Sequence, residues 1–138
     1  MSIDRVAGGR VTKPVVGHDA LAMASELPFD PTIPPSGTGC VECLATEDGW
    51  WFHLRRCANC GHIGCCDQSP SQHASKHARA ERHPFLHSFE PGEDWYWDYD
   101  QGEYGEGPEL APPNHHPLDQ PTPGPAGRVP PDWKLRLH

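Results

Sequence analysis

Residues 57–83 read CANCGHIGCCDQSPSQHASKHARAERH, opening on Cys57 and closing on His83. Cys57-Ala-Asn-Cys60 is a Cys-x2-Cys pair, a spacing that lets two thiolates of one tight turn bind the same tetrahedral ion. An equivalent pair, Cys40-Val-Glu-Cys43, lies upstream. Cys65 and Cys66 add a further thiolate, and His73, His77 and His83 follow. The total is eight ligands for two four-coordinate ions, with one cysteine to spare. Cys40, Cys43, Cys57 and Cys60 alone would make a zinc-ribbon set and leave the histidines without a role. Three histidines within eleven residues, directly after a cysteine pair, favour ligation. His73 and His77 are at i and i+4, so both rings leave one helix face. If the first pair takes Cys66 and His73 while the second takes His77 and His83, the two sets interleave along the chain. A Cys/His set with every position filled leaves no room for a reactive water, so the zincs are expected to be structural.

Working outward, 17 prolines and 14 glycines in 138 residues restrict the ordered region to a small core. Such a core needs disulfides or a metal to be stable. All six cysteines fall between Cys40 and Cys66, and the first residues lack the apolar run of a secretory signal. This points to a reducing cytoplasm and to metal rather than disulfides. The expected organisation is a flexible leader over 1–38, with a short helix near Asp19 to Leu27, a zinc finger over 39–103 and a Pro-rich disordered tail over 104–138. Within the finger, Trp50–Leu54 and Pro84–Phe89 read as strands, with Trp95–Tyr99 a third or an aromatic loop. Ser69, Pro70 and Gln72 form a capping box that predicts a helix from there to about Arg82. Pro84 ends it, because a residue before proline avoids the helical region. The expected fold is therefore a small zinc-stabilised α+β domain with a short sheet and one main helix.

The net charge of −8 is concentrated. Residues 40–87 are neutral, whereas 88–109 carry Glu90, Glu93, Asp94, Asp98, Asp100, Glu103, Glu106 and Glu109 without a Lys or Arg. Lys76, Arg79 and Arg82 on the helix do not make the basic footprint that a nucleic-acid-binding finger needs. No apolar run approaches the roughly 20 residues of a membrane span. Neither nucleic acid nor membrane is an expected partner, and the chain is expected to act as a monomer. An enzyme using spare Cys65 with a free His53, His62 or His87 is the alternative.

These motifs, with Trp51-x-x-Leu54, His83-Pro84 and Trp95-x-Trp97, resemble the UBP-type zinc finger over roughly Gly39 to Gln101. Cys60-Gly-His-Ile-Gly-Cys-Cys66 and Ser88-Phe-Glu-Pro-Gly-Glu-Asp94 are most similar to its short stand-alone bacterial branch. Ubiquitin-specific proteases and a cytoplasmic histone deacetylase use this finger to bind the free carboxyl terminus of ubiquitin. The resemblance implies one zinc on Cys40, Cys43, Cys66 and His73 and another on Cys57, Cys60, His77 and His83, with Cys65 a non-ligand. Two zincs are expected, although some members fill only one site. It also implies an aromatic groove at Trp51, Trp95 and Trp97 for a peptide or protein terminus. In ubiquitin binders an arginine two residues after the cysteine matched by Cys66 grips the carboxylate, and here that position is Gln68. A bidentate arginine contact contributes about 2 kcal/mol, roughly thirtyfold in affinity, and an amide recovers only part of it.

Overall fold

The computed structural model describes residues 28–138, together with the backbone of two strands, β1 (Arg5–Ala7) and β2 (Arg10–Pro14). The helix expected near Asp19 to Leu27 lies outside the described residues. Five further strands follow: β3 (Leu54–Cys57), β4 (Ile63–Cys65), β5 (Phe85–Ser88), β6 (Tyr96–Asp98) and β7 (Glu103–Glu106). They pair antiparallel in the order β7-β6-β5-β3-β4, and β2 joins β7 in parallel, with β1 outside it. A five-residue helix, α1 (Val41–Ala45), packs on β4, and the main helix, α2 (His73–Glu81), packs on β3 and β4. This is the expected α+β domain with one main helix.

The first strand sits later than its apolar residues suggest. Trp50–Leu54 was the expected strand, but the ladder begins at Leu54 and runs through the two arginines to Cys57. Arg55 and Arg56 hide the strand from a hydropathy reading because their charges serve opposite faces. Arg56 is only 2% exposed and donates to the carbonyls of Ile33 (2.8 Å) and Pro113 (3.1 Å), tying both flanking segments to the sheet. Trp51 instead forms a bridge with Gly124, its amide and carbonyl pairing at 2.8 and 3.0 Å.

Helix α2 also starts later than the capping box predicts. Ser69 is fully buried and accepts the Phe52 amide at 2.9 Å, so its hydroxyl is not spent on the helix. Gln72 becomes the N-cap residue in a left-handed conformation, and Arg82 closes the helix in another. His83 leaves the helix as expected.

The proline-rich tail is not disordered. Leu110 is buried with Phe29, Ala58 and Tyr96 in a second apolar cluster. Buried His116 meets Glu90 at 3.0 Å, and the Trp133 ring lies 5.4 Å from Phe52. Prolines leave few amides needing partners, so an extended strap can lie on the domain wherever an anchoring side chain occurs. Arg128 is the strongest clasp, its Nη1 donating to the carbonyls of Cys43 (2.9 Å), Thr46 (2.9 Å) and Gly49 (3.2 Å). Arg128→Ala should cost about 1–2 kcal/mol, since it removes charge-assisted hydrogen bonds at a half-buried position. Urea denaturation would measure this; an unchanged midpoint would show that the clasp contributes nothing.

Candidate metal centres and the aromatic groove

The first cluster joins Cys40, Cys43, Cys65 and His73; the second joins Cys57, Cys60, His77 and His83. Each is assembled by short-range geometry. Cys40 caps α1, its sulfur accepting the Cys43 amide at 3.4 Å, so the helix turn itself brings the two sulfurs together. In the second knuckle the Gly61 amide returns to the Cys57 carbonyl at 2.8 Å, and Gly61 takes a φ of +82° that a side chain would strain. A Cβ at Gly64 would fall 2.7 Å from the Ala74 amide, so only glycine lets α2 approach β4 closely enough.

Cys65, not Cys66, completes the first set, which corrects the assignment drawn from the resemblance. Successive residues of a strand point to opposite faces. Cys65 is paired with Leu54 in the ladder and shares the core face with Ile63, where Cys40, Cys43, Trp51 and Phe89 meet. Cys66 turns to the other face, its sulfur 3.4 Å from the Ser69 hydroxyl. The signal was present in sequence: Ile63 must point inward, and the residue two further on is Cys65.

The donor spacings suit a tetrahedral ion. With Zn–S near 2.3 Å and Zn–N near 2.0 Å, tetrahedron edges should be about 3.8 Å between sulfurs and about 3.5 Å between sulfur and nitrogen. Cys43 and Cys65 sulfurs are 3.9 Å apart, and His73 Nδ1 lies 3.3, 3.4 and 3.5 Å from Cys40, Cys43 and Cys65. In the second set Cys57 Sγ is 3.5 Å from His83 Nδ1, and Cys60 Sγ is 3.3 Å from His77 Nε2. Each cluster can therefore hold one zinc ion.

Electrostatics also favour a bound cation. Hydrogen bonds from Cys40 and Cys43 hold the Cys65 thiol far below its ordinary pKa, while the Cys40 and Cys65 sulfurs and burial push Cys43 up. At Cys57, burial and Cys60 push the thiol up to about 12. Crowded thiols cannot all ionise unless a positive ion offsets their charge. His77 is already biased to its neutral, ligating form, its pKa lowered by burial and by His62 and His83.

Away from the metal centres, Arg55, Cys66, Asp67, Gln68, Leu86, Trp95, Trp97, Tyr99 and Tyr104 line a groove of about 230 Å³. Trp95 and Trp97 meet Tyr104 edge-on at 5.2 and 4.8 Å. Arg55 lies over the Trp95 ring at 4.8 Å and also reaches Ser88 Oγ (3.3 Å) and Glu93 (3.7 Å). Trp51, expected as a groove wall, is 3% exposed in the metal-side core and does not line it. Sequence reasoning missed Arg55, whose place in the groove depends on strand phase. The spare thiol is Cys66: burial raises its pKa, but hydrogen bonds from His53 and Ser69 outweigh this and hold it at about 7. A larger cavity of about 650 Å³ is bordered by Arg56, His87, Glu90, Asp94 and Glu109, whose carboxylates already have partners.

A profile of the family described as Zn-finger in ubiquitin-hydrolases and other protein matches residues 40–110, so the chain belongs to this family of zinc-binding modules. It is similar to the solution NMR structure of protein RPA1320 from Rhodopseudomonas palustris, with 36% identity and a TM-score of 0.55. That match covers 79% of this chain and 96% of the other. No curated protein sequence matches the chain. Among the described residues no helix is long and apolar enough to cross a membrane.

Proposed function

We propose that the chain is a non-catalytic zinc-finger module that binds the end of an extended peptide or protein in the groove of Gln68, Trp95, Trp97, Tyr99 and Tyr104. The observation that carries this is the groove itself, an aromatic recess beside a zinc-fixed scaffold within a family of binding modules. Its polar lining argues against a ubiquitin-type carboxylate. With Cys65 as the ligand, the family's anchor position two residues on falls at Asp67 rather than Gln68, which puts a carboxylate where the arginine would sit. The groove's one guanidinium, Arg55, is engaged with Glu93 and the Trp95 face. A free Gly-Gly carboxylate tail should therefore bind no tighter than its amide, and Lys- or Arg-bearing peptides should bind at least as well as either. NMR titration following the Trp95 and Trp97 indole signals tests this. Indoles unmoved by carboxylate, amide and basic peptides alike would refute the binding reading. The thiol-enzyme alternative passes from Cys65 to Cys66, and its slow alkylation in zinc-loaded protein would count against it, since that side chain is largely shielded. The module is further proposed to work as a cytoplasmic monomer without nucleic-acid or membrane partners.

A further inference from the structure

His62 and Glu42 belong to neither ligand set, yet they join the two metal centres. The His62 carbonyl accepts the Cys57 amide at 2.8 Å, so its backbone is part of the second knuckle. Its ring stacks face to face on His77, 3.9 Å between centroids with the planes parallel. Its Nε2–H donates to both Glu42 carboxylate oxygens, at 2.9 and 2.8 Å. Glu42 stands in the first turn of α1, between Cys40 and Cys43, with Oε1 3.9 Å from the Cys40 sulfur.

We propose that His62 and Glu42 are positioning residues for the second centre, and that they make its hold on metal depend on the first. A metal-ligating histidine is usually oriented by a hydrogen bond to its other ring nitrogen. His77 ligates through Nε2, and among the described residues nothing hydrogen-bonds its Nδ1; the His62 face takes over that role. The His62 ring is fixed in turn by Glu42, and Glu42 is fixed because Cys40 and Cys43 hold the five-residue α1 on the first ion. Losing the first metal frees α1, releases the carboxylate and leaves the His77 ring without its backing. The half-exposed Glu42 and mostly buried His62 place this link at the rim, where it can be altered without opening the core.

The test loads the full chain with Co2+ and titrates it against a chelating dye, following the ligand-field and thiolate charge-transfer bands. One centre has three thiolates and the other two, which separates their spectra. His62→Ala and Glu42→Ala should weaken the two-thiolate centre about 10–100-fold and leave the three-thiolate spectrum in place, the range typical for residues that orient ligands. His62→Phe, which keeps a stacking face, and Glu42→Gln, which keeps an acceptor, should each recover part of the loss. Release within twofold of wild type in both alanine variants would overturn the proposal. So would a loss falling equally on both centres, because that would signal a general loosening of the fold.

Discussion

Cys65→Ser is expected to release the metal of the first centre and unfold much of the domain, whereas Cys66→Ser should keep both metals. The two residues are neighbours, so nothing in composition distinguishes the variants; only strand phase does. Cys65 Sγ is within 3.9 Å of Cys43 Sγ and 3.5 Å of His73 Nδ1, and it also accepts the His73 amide at 3.2 Å. Serine there removes a thiolate and loosens the first turn of α2 at once. A structural zinc contributes on the order of 10 kcal/mol of folding free energy, comparable with the whole stability of a small domain. The Cys66 sulfur faces Ser69 and His53 rather than either ligand set, so its serine variant should cost about 1–2 kcal/mol at most. Native mass spectrometry counts the ions and amide NMR dispersion reports the fold. If Cys66→Ser lost a metal while Cys65→Ser kept two, the assignment would have to be reversed.

What was legible in the sequence was chemical type rather than direction. Donor identity and Cys-x2-Cys spacing announce a zinc domain because a tight turn can present two sulfurs in few ways. The fate of Cys65 and Cys66 depended on phase within a three-residue strand, which the apolar Ile63 records but a motif match ignores. Trp51 was misplaced for a related reason. As an aromatic beside the ligands it could wall a groove or fill the core, and its pairing partner, Gly124, lies 73 residues further on. The tail was misread because composition averages over anchors: Leu110, His116, Arg128 and Trp133 are few among the prolines, yet each finds a specific site. Arg55 and Arg56, adjacent in sequence, border cavities on opposite faces of the sheet, a division that only strand phase decides.

Stoichiometric removal of zinc at neutral pH is expected to abolish the dispersed amide spectrum, tail included. Cys40, Cys43 and Cys65 are themselves core residues, all 0% exposed and packed with Trp51, Leu54, Ile63 and Phe89. Without an ion the core would hold three crowded thiols, of which only Cys65 ionises readily. The strap should detach in the same transition, because Arg128 is bound to carbonyls of the first knuckle and Gly124 to Trp51. Acid should act in the same direction. The folded-state pKa of His77 lies below its ordinary value of 6.5, so as pH falls below 6.5 the unfolded chain takes up a proton that the fold resists, and stability declines. Metal binding needs the same neutral imidazole and deprotonated thiols, so zinc affinity should also weaken with acid. Less chelator should therefore be needed to unfold the protein at pH 5.5 than at pH 8. The measurement is a chelator titration at both values, followed by amide NMR and by the intrinsic tryptophan fluorescence of the unaltered chain. A metal-free chain that kept its dispersed spectrum at pH 7 would show that apolar packing alone holds this fold, contrary to the role assigned here to zinc.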